Sequence, residues 1–349
     1  MTQLAFESAT QLVSKIKSGA LTSVGLLEHY LARVDAHNAE INAVVVQVRD
    51  RAMARAKAAD EALAKGEDWG PLHGLPMTVK ESYNLKGTPT TWGEPGWKDN
   101  IAEEDALAIQ RLEAAGAVVF GKTNVPLMLS DFQSYNAVYG TTNNPWSLDS
   151  TPGGSSGGSA AALAAGLTGL EIGSDIGGSI RNPAHFCGVF GHKPTWELLP
   201  MRGHAGPGVL TPSDISVIGP LARSAYDLQT AVEIMAGPDE IPANGYSLEL
   251  KKPAQKSLAD FKIAVWKDDE IAPVDREVIE RVERIAEIFA KAGATVDETA
   301  RPEFSAEHIM STYQNLLWAN MASRQSDEAY EGIKQVVAGL PDSDRGPGA

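Results

Sequence analysis

The sequence predicts an α/β layer fold, on helix-and-strand alternation at three places. Ala106 to Ala115 reads as a helix and is followed at once by the apolar strand Ala117-Val118-Val119-Phe120. Ala160 to Ala165 is an alanine helix set between two glycine-rich runs. Phe261 to Trp266 reads as a strand, and Asp275 to Ala292 as an amphipathic helix carrying Val278, Ile279, Val282, Ile285, Ile288 and Phe289. Gly293 ends that helix, and Ala294 to Val296 starts another strand. Alternation of this kind packs helices onto a sheet.

The elements before these are mostly helical. Ser8 and Thr10 are caps for a segment with Leu12, Val13 and Ile16, stopped by Gly19. Thr22-Ser23 opens a second helix with Leu26, Leu27, Tyr30, Leu31 and Val34 at amphipathic spacing. Asn42 to Val48 reads as a strand and Asp50 to Lys65 as an alanine-rich helix. Leu75 to Lys80 reads as a strand leading to a buried lysine. We expect one domain over residues 1–340, with a small βαβ lobe at about 258–300. The polar end, 341–349, is expected to be a disordered tail.

Composition narrows the classes of function. The 349 residues are 43% hydrophobic and 21% charged, which suits a folded chain with a sizeable core. Acidic residues outnumber basic ones 45 to 30, a formal charge of −15. That field repels nucleic-acid phosphates and anionic membranes, and the lysines and arginines are scattered rather than patched. The single cysteine, Cys187, allows no intrachain disulfide. The N-terminus lacks a basic start and an apolar core, and no apolar run approaches a membrane span. A cytoplasmic protein without nucleic-acid or membrane partners is expected.

Three pieces carry chemistry. In Ile172-Gly173-Ser174-Asp175-Ile176-Gly177-Gly178-Ser179-Ile180-Arg181, two glycines before Ser179 permit a sharp turn that exposes backbone N–H groups. The amides from Ile176 to Ser179 would suit an oxyanion. A plain glycine turn fits the same residues. Pro152 to Ser159 is a second glycine and serine run. A helix follows it directly, so it reads as an ordered loop rather than a linker, and that helix can return the chain so that Ser155 meets Ser179. Lys80 ends an apolar strand. Alone it would be a surface residue, but a desolvated lysine can serve as the base that a serine nucleophile needs.

Together these runs resemble the amidase signature family. The likeness lies in Gly153 to Ala162 and Gly173 to Ala184. It extends to Gly121-Lys122-Thr123-Asn124-Val125-Pro126, Asn144-Pro145-Trp146, Gly191-His192-Lys193-Pro194-Thr195 and Ser216 to Arg223. It runs from near residue 8 to about 236, with long motifs in order. It implies a mixed twisted β-sheet covered by helices. It also implies a Ser–cisSer–Lys triad, with Ser179 as the acyl-forming nucleophile and Ser155 as the relay, its bond to Gly154 cis. Lys80 is then the base and later the acid. Ile176, Gly177 and Gly178 match the oxyanion positions, and Leu129 a backbone position that meets substrate. Asp175 and Arg181 are expected to brace the loop. Family members are longer, so the resemblance implies a chain truncated after about residue 340.

The expected activity is hydrolysis of a small carboxylic amide without metal or cofactor. The small-molecule amide is the expected partner, and a homodimer is left open. One alternative is the glutamine-hydrolysing A subunit of a tRNA amidotransferase, which needs partner subunits. Another is a truncated scaffold that binds without catalysis. Other patterns fall away. Gly116 to Thr123 matches a nucleotide P-loop formally, but its strand lies between the glycines and Pro126 follows soon after. His73, His185, His192 and His204 share no metal-ligand spacing. Cys187 reads as a small buried hydrophobe. Asp131 either faces solvent or selects a cationic or donor-bearing substrate.

Overall fold

The computed structural model describes residues 3–323 and 326–341, so the tail from 342 lies outside the described residues. The chain divides into two compact units, Met1–Glu249 and Leu250–Ala349.

The first unit opens with α1 (Ala9–Lys17) and α2 (Ser23–Ile41). Ser8 caps α1 through a capping box with Gln11, and Thr22 caps α2 by accepting from the Gly25 N–H. Thr10 lies inside α1, where its hydroxyl donates to Asp227. The remaining N–H groups of both helix starts meet distant carboxylates. Asp227 accepts from Ala9 and Thr10, each at 2.9 Å, and Asp60 from Ser23 at 2.7 Å and Val24 at 3.0 Å. Asn42 then turns left-handed and releases the chain into β1 (Val44–Gln47), followed by α3 (Arg49–Ala64).

β2 (Pro76–Lys80), α4 (Leu107–Ala114) and β3 (Val118–Thr123) follow. β3 runs further than its apolar start suggests, through Gly121-Lys122-Thr123. Gly121 permits this, because a Cβ there would lie 2.5 Å from the Val46 carbonyl oxygen on β1. The first sheet has the order β1-β3-β2, with β2 parallel to β3 and β1 antiparallel to it. A short hairpin, β4 (Tyr135–Asn136) and β5 (Gly140–Thr141), lies beyond it.

α5 (Gly157–Ala164) starts three residues earlier than its alanines indicate. Gly157 and Gly158 belong to the helix because neighbouring chain leaves no room for a side chain. A Cβ on Gly158 would sit 2.3 Å from the Asn124 nitrogen. Next come β6 (Glu171–Asp175), α6 (Arg181–Cys187), β7 (Phe190–Gly191), β8 (Val217–Ala222) and α7 (Ala225–Met235). The second sheet, β6-β8-β7, is antiparallel. β2 lies beside β6, with the Thr78 N–H 3.0 Å from Thr168 Oγ1 and 3.4 Å from the Leu170 carbonyl oxygen. The two sheets thus meet at the strand that ends on Lys80. Leu12, Ile16, Leu26, Leu27, Tyr30 and Phe120 are fully buried in the core. Each buried aliphatic side chain contributes about 1.5–3 kcal/mol.

The second unit contains β9 (Lys262–Ala264), α8 (Arg276–Lys291) and β10 (Thr295–Asp297), then α9 (Ala306–Ala322) and α10 (Asp327–Ala338). β9 and β10 are parallel and α8 connects them, which is a βαβ unit. Among the described residues no helix is long and apolar enough to cross a membrane.

Candidate active site

β2 delivers Lys80 to the junction of the two sheets. Its side chain is 0% exposed, and Nζ donates to Ser155 Oγ at 2.7 Å and to Ser174 Oγ at 2.9 Å. Burial lowers its pKa from 10.5 to about 7, against the opposing pull of the Asp175 and Glu171 carboxylates. Near neutral pH this amine exists in both protonation states, so it can take up and return a proton.

Ser155 is buried ahead of α5, and the Gly154–Ser155 peptide bond is cis. The tight approach of chain on both sides sets its place. A Cβ on Gly154 would lie 2.5 Å from the Asp131 carbonyl oxygen, and one on Gly153 2.5 Å from Asn182 Oδ1. Ser179 stands in the turn between β6 and α6 and is 6% exposed. The Ser156 N–H donates to the Ser179 carbonyl at 3.0 Å, which ties that turn to the Ser155 loop. Lys80 and Ser155 are therefore hydrogen-bonded. Ser179 is adjacent through the backbone, and no hydrogen bond joins its hydroxyl to that of Ser155.

Asp175 shapes the turn that carries Ser179. Its carboxylate accepts from the N–H groups of Gly178 at 2.8 Å and Ile180 at 3.1 Å, and from the Arg181 guanidinium at 2.9 and 3.0 Å. Burial raises its pKa, but Arg181 and these N–H groups outweigh that and leave it below the ordinary value. Among the expected oxyanion residues, Gly178 thus has its N–H committed to Asp175. The N–H groups of Ile176, Gly177 and Ser179 make no backbone hydrogen bond among the described residues. Gly178 has φ +129°, a left-handed value that glycine adopts without strain.

Leu129 lies in a turn whose N–H bonds back to the Pro126 carbonyl at 3.1 Å. The following residues face the site. Phe132 Cε1 lies 3.4 Å from where a Cβ of Gly178 would stand. Asp131 is half-buried and accepts from the Gln133 N–H at 3.1 Å.

Two buried residues here were not singled out from the sequence. Ser174 is the second hydroxyl on Lys80, and no local pattern marks it, because β2 and β6 meet only in the fold. Glu171 is fully buried on β6. Burial raises its pKa to about 8, although hydroxyls and the Ile172 N–H favour its charged form. A glutamate between Leu170 and Ile172 was the available signal. The other flagged residues have plain surroundings. Trp69 N–H donates to His73 Nδ1 at 3.0 Å, His73 Nε2 lies 3.0 Å from the Ala59 carbonyl, and Ser82 Oγ lies 2.9 Å from His204 Nε2. Burial pushes the Cys187 thiol up to about 12. Among the described residues no His, Cys, Asp and Glu cluster has the makings of a metal site.

Comparison with known proteins identifies the family and the fold. The sequence model of the family described as Amidase matches residues 25–345. The A subunit of glutamyl-tRNA(Gln) amidotransferase from Koribacter versatilis (strain Ellin345) is 36% identical over 326 residues. The match covers 91% of this chain and 65% of that protein. Indoleacetamide hydrolase from Bradyrhizobium diazoefficiens is 38% identical over 300 residues, 85% of this chain and 57% of that protein. The chain thus spans less than two thirds of the length of these relatives. Among solved structures, a fatty acid amide hydrolase superposes with TM-score 0.82 at 29% identity, over 90% of this chain and 56% of that one. The peptide amidase from Stenotrophomonas maltophilia gives 0.77 at 27%, over 95% and 70%. With a family match over most of its length and these folds in common, the chain belongs to the amidase signature family.

Proposed function

We propose that the protein hydrolyses a small carboxylic amide through an acyl-enzyme on Ser179. The observation that carries this reading is the buried Lys80 amine, 2.7 Å from Ser155 Oγ and with its pKa lowered to about 7. Neutral Lys80 takes the Ser155 proton, Ser155 takes the Ser179 proton, and Ser179 Oγ attacks the amide carbon. The N–H groups of Ile176, Gly177 and Ser179 are the donors left to receive the oxyanion. Collapse breaks the C–N bond, and the proton held by Lys80 returns through Ser155 to the leaving amine. Water then attacks the acyl carbon and gives a proton through Ser155 to Lys80. The bond from Ser179 Oγ to the acyl carbon breaks, and that proton returns through Ser155 to Ser179 as the acid leaves.

The test is intact-mass spectrometry with peptide mapping after incubation with a fluorophosphonate. A single adduct on Ser179, lost in Lys80→Ala, is the expected result. A folded protein that takes no adduct refutes the reading and leaves a non-catalytic scaffold. The similarity to the amidotransferase relative favours a second reading, glutamine hydrolysis in a complex with partner subunits. Release of ammonia from glutamine, set against release from aryl and aliphatic amides by the same chain, decides between the two.

A further inference from the structure

The residue after the proposed base, Glu81, is fully buried and takes no part in the relay. Its Oε1 accepts from the Thr91 N–H at 2.7 Å, Thr91 Oγ1 at 2.8 Å and the Tyr139 hydroxyl at 3.1 Å. Its Oε2 accepts from the Trp92 N–H at 2.9 Å. Lys122 faces the same cluster from β3. It is fully buried, its charged form is favoured by the nearby Glu81, and it donates to the Pro89 carbonyl and, at 3.1 Å, to Thr90 Oγ1.

The segment Glu81 grips continues toward the site. Trp92 is left-handed, with φ +52°, and its carbonyl accepts from the Met128 N–H at 2.7 Å. Met128 and Leu129 are themselves successive left-handed residues, φ +53° and +59°. Crowding of Cβ against the backbone disfavours this for both, so the turn needs an outside hold. Directly after it, the backbone from Asp131 to Gln133 presses on Gly154, and Phe132 lies over Gly178.

We infer that Glu81 is a positioning residue. Through the Thr91–Trp92 turn it fixes the wall from Met128 to Phe132 that a bound acyl group meets. The inference rests on the amidase reading of Ser179. A carboxylate suits the role because all four partners are donors, whereas a glutamine amide would face some of them with its own N–H groups.

The test compares the labelling rates of Ser179 by diisopropyl fluorophosphate and by a long-chain alkyl fluorophosphonate. In Glu81→Gln, the rate with the long-chain reagent is expected to fall about 10-fold through weaker binding. The rate with the small reagent should change by less than about 2-fold. Tyr139→Phe removes one donor and should give the same pattern at about 3-fold, which decides the matter if Glu81→Gln does not fold. Equal losses with both reagents, or no loss in either variant, overturn the inference. A wild type that takes neither reagent overturns the amidase reading instead.

Discussion

Two lysines lie wholly buried on adjacent strands, and their surroundings give them different work. Lys80 ends β2 and Lys122 lies near the end of β3. In register, Lys80 pairs with Thr123 and Val79 pairs with Lys122. Side chains alternate along a strand, so the two amines leave opposite faces of the sheet. Burial lowers both, Lys80 to about 7 and Lys122 to about 8. The partners differ. Lys80 donates to two hydroxyls, which hold protons of their own and can pass them on. Lys122 donates to the Pro89 carbonyl and to Thr90, whose hydroxyl lies 3.3 Å from the Tyr83 carbonyl. A carbonyl has no proton to give. A lowered pKa therefore does not by itself mark a base; a base also needs a neighbour with a proton to give.

Substitutions can break this comparison. Ser179→Ala should remove the proposed nucleophile and cost at least about 10⁴-fold in kcat, measured on whichever amide the substrate screen identifies. Lys80→Met should cost about 10²–10⁴-fold in kcat/KM while leaving the protein folded, checked by circular dichroism alongside activity. Lys122→Met should do the reverse. It strands the Pro89 carbonyl and should lower unfolding stability by about 1–3 kcal/mol in urea titration, with kcat within about 10-fold of wild type. A larger loss of kcat from Lys122→Met than from Lys80→Met would invert the assignment.

The pH dependence sharpens the same contrast. Below about pH 7 Lys80 is protonated and cannot accept the Ser155 proton, so kcat/KM should rise with pH through about 7. Lys122→Met should leave that limb in place. Glu171→Gln gives the smallest effect. With its pKa raised to about 8, Glu171 is mostly neutral where Lys80 titrates, so its loss should move the limb only slightly, and to lower pH.

Much of this was legible in the residues, for local reasons. The caps at Ser8 and Thr22 and the stripe on α2 act within a few residues, so pattern reading found them. The βαβ unit near the end of the chain was legible from periodicity. β3 and α5 were misjudged at their ends for one reason: Gly121, Gly157 and Gly158 look like breaks in sequence, but each answers to chain packed against it from elsewhere. Asp131 stayed open in sequence, and the structure places its backbone on Gly154 with its side chain half-buried.

By itself the sequence determined the family, the buried lysine and the two serine loops, because those motifs are contiguous and ordered. Only the tertiary structure decided what Lys80 touches and which N–H groups near Ser179 are already engaged. It also decided that Glu81 faces the Thr91–Trp92 turn rather than Ser155. Those outcomes depend on β2 lying beside β6 and on a carboxylate reaching across a turn. Spacing along the chain does not encode contacts made by residues dozens of positions apart.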